Sequence, residues 1–282
     1  RVPQKLVYTR GLENNLPALL ELAQNWQTRR DNGEDLRPFK AIAYFNSTAE
    51  TKVSADVFNA IARSSEFRQS SMGSMRMLEI NSRLTQAFRT RSAENFRRAR
   101  EGILFSSDVT ARGMDFPDVT HVVQIGVPRD RETYIHRLGR TARAGKEGEG
   151  WLFMHRGEQD AYRKRLGRLP LKVDDALESA DADLSQTHSN ETPVGQIINK
   201  INEGLAQCDG ATKVKSYMGQ LGTTTANFSS KQDAIQALNQ MFTVGYNMQT
   251  LPELSPRLMQ QMGLNRKDGV SAGDGTRQRR EG

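Results

Sequence analysis

Residues 121–154 read HVVQIGVPRDRETYIHRLGRTARAGKEGEGWLFM and contain two short apolar runs on either side of an amphipathic stretch. The runs at 121–125 and 151–154 are predicted strands, and residues 131–143 between them have the spacing of a helix. A strand, a helix and a second strand in this order are typical of a crossover that joins two parallel strands. This stretch therefore predicts an α/β fold.

The same alternation continues outward over the first 171 residues. Strands are predicted at 41–45, 77–80, 103–106, 121–125 and 151–154, and helices at 14–29, 49–63, 83–100 and 131–143. Such a pattern is typical of a parallel sheet with helices on both faces. The predicted fold class is α/β, with a small and mainly helical extension after the sheet domain.

Composition excludes several classes of protein. The chain has 282 residues, of which 36% are hydrophobic and 26% charged, and no apolar run is long enough to span a bilayer. A single cysteine, Cys208, excludes a disulfide scaffold and a Cys/His zinc cluster. No signal peptide is visible, and because the chain opens at Arg1 we expect it to be a fragment.

Charge is unevenly distributed along the chain. The net charge is +7, and residues 1–171 hold 29 Lys and Arg against 20 Asp and Glu. Such an excess favours phosphate-rich partners, with nucleic acid ahead of an anionic membrane. Residues 172–192 are acidic and predict a solvated linker, residues 193–264 predict a helical C-terminal extension, and residues 265–282 predict a disordered basic tail. We expect the extension either to contact nucleic acid or to be a helical cap over apolar surface.

Three arginines recur at intervals of three in the helical stretch. On a helix, Arg137, Arg140 and Arg143 share one broad face and repel one another unless an anion faces them. A polyphosphate is one such anion, since guanidinium groups neutralise charge on a transferring phosphoryl group. A solvated basic helix face is the alternative interpretation.

A second segment follows the predicted strand 103–106. Small hydroxyl residues, Gly113 and two acids come after it, at the end of a parallel strand where α/β sheets place ligands. Asp115 is able to accept hydrogen bonds from ribose hydroxyls, Ser107 is able to donate to a phosphate, and Gly113 allows close backbone approach. The alternative is a simple turn in which Asp108 caps a helix.

Taken in order, four segments resemble motifs of the second RecA-like domain of DEAD-box RNA helicases in superfamily 2. They are AYFNST at 43–48, QAFR at 86–89, SDVTARGMDFP at 107–117 and YIHRLGRTARAG at 134–145, which resemble motif IV, the QxxR element, motif V and motif VI. The resemblance covers residues 5–169. It differs at Asn81-Ser82, where the family usually has His-Gly, and at Ser107, where it usually has threonine.

The resemblance implies a role for each matched position. The residues implied in catalysis and ATP binding are Arg140 and Arg143 at the γ-phosphate, Asp115 at the ribose and His136, which couples the site to the partner domain. The residues implied to hold the RNA backbone are Arg89, Ser107, Gly113 and Thr48. The residues implied at the interface between the two domains are Arg112, Arg137 and Gln86.

The family's first domain, with its phosphate-binding lysine and metal-holding carboxylates, has no counterpart in this sequence. The resemblance therefore implies ATP with Mg²⁺ as cofactor, metal ligands on a separate first domain, and no ATP hydrolysis by this chain alone. The expected partners are RNA, bound through its backbone, and that first domain; we expect a monomer with no membrane partner.

The extension and basic tail resemble fungal mitochondrial DEAD-box proteins that act as RNA chaperones on group I and group II introns. This resemblance implies the mitochondrial matrix, with nucleus or cytoplasm as alternatives. A non-catalytic RNA-binding or chaperone module remains the rival function, and a DNA helicase half of the same superfamily is a second rival. The outer arginines of motif VI and Asp115 favour the enzyme, since a pure RNA binder does not need them.

Overall fold

The computed structural model describes residues 1–108 and 114–273, and its main feature is a sheet of seven strands that all run parallel. The strands are β1 (Gln4–Thr9), β2 (Lys40–Phe45), β3 (Arg76–Ile80), β4 (Gly102–Ser106), β5 (His121–Ile125), β6 (Glu149–His155) and β7 (Leu171–Val173). Their order across the sheet is β3-β4-β2-β5-β6-β1-β7. The predicted α/β class with a parallel sheet is confirmed.

The five predicted strands are β2 to β6, and the central ones read as apolar runs because they are buried on both faces. Two edge-side strands were not predicted. In β1, Lys5 and Tyr8 interrupt the apolar residues, and β7 has only three residues, with Val173 exposed. Both pair in parallel within the sheet, so their assignment depends on partners that are distant in sequence.

Helices connect the strands and lie on both faces of the sheet. They are α1 (Asn15–Asp31), α2 (Thr48–Arg63), α3 (Ser65–Gln69), α4 (Gln86–Arg98), α5 (Arg131–Leu138) and α6 (Gln159–Leu166). Side chains fix several starts: the Ser47 and Thr85 hydroxyls accept from the Glu50 and Phe88 amides at 3.0 and 3.2 Å.

The fourth predicted helix, at 131–143, is wrong in its second half. The helix α5 ends at Leu138, and Ala142 and Ala144 have φ of 56° and 55°, in the left-handed region that a continuing helix cannot use. Arg140 and Arg143 therefore do not share a helix face with Arg137. The even spacing of the arginines corresponds to three different environments.

Two sets of apolar side chains form the core, one on each face of the sheet. On one face, alternate residues of the strands pack with α1 and α2, as Phe45, Phe58 and Phe105 do. On the other face α4, α5 and α6 cover the sheet in two smaller clusters, which contain Phe96 and Tyr134.

The predicted helical extension consists of α7 (Pro193–Gln207), α8 (Gly210–Asn227) and α9 (Lys231–Gln240), followed by a π-helical turn and α10 (Pro256–Met262). It packs on the face that α1 and α2 cover, and its Leu205, Leu221 and Phe242 join that core. The cap alternative is the one that this packing favours.

The segment 172–192 is not the solvated linker that we expected. Leu177 and Ala180 are buried in the core. The Glu21 carboxylate accepts hydrogen bonds from the Ser179 amide at 2.8 Å and hydroxyl at 2.6 Å, and the Asn14 amide donates to the Ser179 carbonyl at 2.8 Å. The acidic composition hid these anchors because most of their hydrogen bonds use backbone groups.

The predicted disordered tail is also wrong for residues 265–273. Val270 is buried, and Ser271–Ala272 (β9) pairs in parallel with Glu253–Leu254 (β8). Residues 274–282 lie outside the described part of the chain. Among the described residues, no helix is long and apolar enough to cross a membrane.

Candidate nucleotide and RNA sites

The RNA-binding positions predicted from sequence meet where three neighbouring parallel strands end. Thr48 follows β2, Ser82 follows β3 and Ser107 follows β4. The Thr48 and Ser82 hydroxyl oxygens are 3.2 Å apart, and the Ser107 amide donates to the Ile80 carbonyl at 3.2 Å. Ser82 is a position at which this sequence differs from the family, and its hydroxyl lies at the same edge of the sheet as that of Thr48. Ser107 itself is buried, so its side chain lies beneath this surface.

The helix α4 begins beside this edge and carries two further predicted positions. Gln86 is exposed on its first turn, where its amide donates to the Thr90 hydroxyl at 3.4 Å. Arg89 is half-buried, and its Nε has no hydrogen-bond partner within residues 1–108 and 114–273. Phe88 between them is 49% exposed, and sequence reasoning did not single it out. An apolar ring next to an arginine at a helix start offers a stacking surface to a base.

Arg137 does not reach the surface, which corrects its predicted place between two domains. Its side chain is completely buried, its Nε donates to the Asp108 carboxylate at 3.0 Å, and its guanidinium lies 5.1 Å from the centre of the Tyr44 ring. It also donates to the Asn46 side-chain oxygen at 3.4 Å. The side chain therefore ties together the segments after β2 and β4 and the helix α5.

Asp108 and Asn46 hold the Arg137 side chain in place, a role that sequence reasoning did not assign to them. Asp108 was expected only as an alternative helix cap, yet it accepts from Arg137 and lies 3.8 Å from Arg129. The signal that could have found the pair is charge, because a buried arginine requires an anionic partner and Asp108 lies just after the strand β4.

The predicted nucleotide residues lie on the face of the sheet that α4 and α5 cover. Arg143 Nη1 lies 2.7 Å from Asp115 Oδ1, and Arg143 Nε donates to the Gly139 carbonyl at 2.7 Å. Arg140 donates to the Met114 carbonyl. The Asp115 and Arg143 side chains are 79% and 44% exposed, so this pair occupies open surface. Structure thus brings all three predicted nucleotide residues together.

His136 and Ile135 project from α5. The side chain of His136 is 47% exposed and its Nε2 lies 3.9 Å from Glu132, while Ile135 is 44% exposed. At the start of the same helix, Asp130 accepts from the Thr133 amide at 2.7 Å, and this backbone hydrogen bond lowers the pKa of Asp130. The exposed side chains of His136 and Ile135 are available for contact with a second domain.

Two predicted positions, Arg112 and Gly113, lie outside the described residues, so their roles remain predictions. Among the described residues, no group of three or more His, Cys, Asp or Glu is placed to hold a metal ion. The charged groups that are present fit a nucleotide, because guanidinium groups donate to phosphate oxygens and the Asp115 carboxylate accepts from ribose hydroxyls.

Comparison with known proteins assigns these residues to a family. The model of the helicase conserved C-terminal domain matches residues 32–145. The chain is 46% identical over 271 residues to a mitochondrial ATP-dependent RNA helicase of Aspergillus fumigatus, mss116, and 38% identical over 267 residues to the mitochondrial helicase cyt-19 of Neurospora crassa. These matches cover 95% and 93% of this chain but only 41% and 40% of the relatives' own lengths.

Solved structures agree. Domain 2 of the DEAD-box helicase Mss116p, bound to an RNA duplex, is similar with a TM-score of 0.69 and 26% identity, over 97% of this chain and all of that one. Mss116p bound to single-stranded RNA and AMP-PNP gives a TM-score of 0.73 at 24% identity, over 96% of this chain and 50% of that one, and so supports the RecA-like fold. The extension is therefore included in the match. The chain belongs to the DEAD-box helicase family and contains the C-terminal, RecA-like helicase domain with its helical extension.

Proposed function

We propose that this chain supplies one half of a composite ATP and RNA site, and that the intact protein is an ATP-dependent RNA helicase that separates short duplexes or remodels structured RNA. The observation that carries the proposal is the open surface position of Asp115 and Arg143, with Arg140 beside them. An exposed Arg143 guanidinium beside an exposed Asp115 carboxylate suits a site that a second domain completes.

ATP would supply the phosphoryl group whose cleavage drives the cycle. Asp115 would accept hydrogen bonds from the ribose, for which its pairing with Arg143 at 2.7 Å must open. Arg143, released from Asp115, and Arg140 would then neutralise charge on the γ-phosphate as arginine fingers. His136 and Ile135, exposed on α5, would contact the first domain. Mg²⁺ ligands are expected on that domain.

RNA would lie along the strand ends, held through its sugar-phosphate backbone by Thr48, Arg89 and the main chain around Ser107. Backbone contacts leave the base sequence unread, and contacts to 2′-hydroxyls favour RNA over DNA. The likeness to a domain 2 bound to an RNA duplex supports duplex RNA as a ligand of this chain. ATP and RNA would each favour the closed form of the two domains, so each would strengthen binding of the other.

We further infer a mitochondrial location, from the mitochondrial names of both relatives. Structured RNA of that compartment is then the substrate class. The chaperone role on introns that the sequence suggested depends on this location.

The test is RNA-stimulated ATP hydrolysis by this chain alone and by the same chain joined to its own N-terminal helicase domain. Activity only in the joined protein supports a composite site. In the joined protein, Arg143→Ala should lower kcat by about 10³-fold or more and leave nucleotide-free RNA binding within about twofold. Arg163→Ala, which removes an exposed cation of α6, is the matched control and should change neither quantity.

Three outcomes contradict the proposal. Activity of the chain alone would show that the phosphates bind elsewhere. An equal loss of hydrolysis and RNA binding in Arg143→Ala would make Arg143 an RNA contact. RNA binding without hydrolysis in the joined protein would favour the non-catalytic module.

A further inference from the structure

The segment that carries Asp115 is held by α4 as well as by the arginines that follow α5. The Phe96 and Phe116 rings meet edge to face with their centres 5.1 Å apart, and both are buried. Next to this contact, Arg97 Nε donates to the Asp115 carbonyl oxygen at 3.3 Å. The last turn of α4 thus fixes the backbone of a predicted ribose-binding residue.

The same segment, residues 114–116, contains the partners of both predicted arginine fingers. Arg140 donates to the Met114 carbonyl, and Arg143 pairs with the Asp115 carboxylate. A displacement of residues 114–116 therefore moves the partners of both arginines. The Phe96–Phe116 ring contact and the Arg97 hydrogen bond both join α4 to this segment, and the hydrogen bond is the one made to Asp115 itself.

The other end of α4 lies at the strand ends where RNA is expected. Arg89 and Arg97 are eight residues apart on one unbroken helix, which places their backbones roughly 12 Å apart along its axis. Ala93 and Phe96 anchor the helix in the core, and Lys40 donates to the Arg97 carbonyl at 3.3 Å. A helix anchored in this way moves as a unit.

We propose that Arg97 is a positioning residue that couples the RNA contact of α4 to the nucleotide contacts of Asp115 and Arg143. RNA held at Arg89 sets the position of α4, and Arg97 transmits this position to the Asp115 backbone. The proposal rests on the proposed function, and it adds a residue outside the motifs that carried the family resemblance.

Arg98 provides a matched control. Arg97 and Arg98 are adjacent on α4 and both pair with Glu94, but Arg98 is 78% exposed and has no described contact with residues 114–116. Arg97→Lys keeps the charge and lacks the Nε donor, and Arg97→Met removes both. Arg98→Met removes the same charge without touching Asp115.

The experiment measures the affinity of a labelled single-stranded RNA for the two-domain protein, with and without AMP-PNP, in each variant. The ratio of the two dissociation constants is the coupling between the ligands. We expect Arg97→Met and Arg97→Lys to reduce this ratio about tenfold, within the range reported for residues that link two sites. Nucleotide-free RNA affinity should stay within about twofold, as should both quantities in Arg98→Met.

The outcomes separate the two proposals. A wild-type protein without any coupling overturns the proposed function, and this inference with it. Wild-type coupling that survives in both Arg97 variants overturns this inference alone. A loss of nucleotide-free RNA affinity in Arg97→Lys would overturn it too, because Arg97 would then be an RNA contact. Thermal melting of each variant identifies misfolding, and Arg97→Lys carries the test if Arg97→Met does not fold.

Discussion

The two faces of the sheet differ in the size of the apolar core that covers them and in the groups that they leave exposed. On the face of α1 and α2, the extension adds a continuous apolar core. On the face of α4 to α6 the apolar clusters are smaller, and the groups with candidate chemistry stay at the surface, Asp115 at 79% exposure and Arg143 at 44%. Side chains that must exchange partners with a ligand are drawn from weakly packed positions. The extension packs on α1 and α2 and adds its apolar side chains to the core on the opposite face.

On the face that α4 to α6 cover, Arg137 is the exception because its side chain is completely buried, and its removal should have the largest effect on stability. Arg137→Ala empties a completely buried site and also takes from Asp108, which is one-third exposed, its closest partner, so the lost packing and the lost ion pair together should cost about 3–5 kcal/mol. Urea denaturation of this chain measures the change in the free energy of unfolding.

Arg129 offers the matched control, because it lies 3.8 Å from the same carboxylate but is 66% exposed. Arg129→Ala should cost less than about 1 kcal/mol. If the two variants lose equal stability, Arg137 does not anchor the face that α4 to α6 cover, and the two faces differ less in packing than we infer.

On the face that the extension covers, α8 packs over a buried polar cluster that contains Glu50, whose charge depends on pH. Burial and, to a smaller extent, the nearby Glu158 carboxyl together raise the pKa of Glu50 to about 8. The two carboxyls line a cavity of about 30 Å³ with Gln220 and Asn227 of α8. Burial and, to a smaller extent, the nearby Glu50 raise the pKa of Tyr246. A cavity of this size holds about one water molecule.

The fold favours the protonated form of Glu50, so unfolding releases its proton wherever pH lies between 4.5 and about 8. Stability should therefore fall as pH rises through this window, by up to on the order of 5 kcal/mol from this group over the whole window, at about 1.4 kcal/mol per pKa unit. Glu50→Gln cannot ionise and should flatten the pH dependence of the unfolding free energy. A slope that is unchanged in Glu50→Gln would show that Glu50 is charged in the folded protein.

Local sequence pattern sufficed for the strands β2 to β6, which are short apolar runs, and for the mainly helical character of the extension. It failed where long-range partners decide, as for β7, which exists only as a neighbour of β1, and for Ser179, which Glu21 fixes from α1. The left-handed backbone at Ala142 gave no signal, since alanine is a good helix former.

The site was predicted to a similar extent. The motifs identified Asp115, Arg140 and Arg143, and the structure brings them together. Spacing alone assigned one role to all three arginines, whereas burial assigns Arg137 to the interior. The contact of Arg97 with the Asp115 carbonyl could not be predicted, because a backbone acceptor leaves no mark on the residue types.

The smallest expected effect concerns the close approach of α8 to α2, the helix that begins at Thr48. A Cβ on Gly219 would lie 2.6 Å from the Ala49 Cβ, whereas Gly222 on the same helix has open space around it. Gly219→Ala should force the helices apart and cost about 1–2 kcal/mol in unfolding free energy, although alanine favours a helix. Gly222→Ala, with the same gain in helix propensity and no clash, should stabilise by about 0.5–1 kcal/mol. If both variants stabilise the chain, α8 is not seated tightly on α2. The extension would then be a loosely attached cover, and the difference between the two faces would be one of apolar area only.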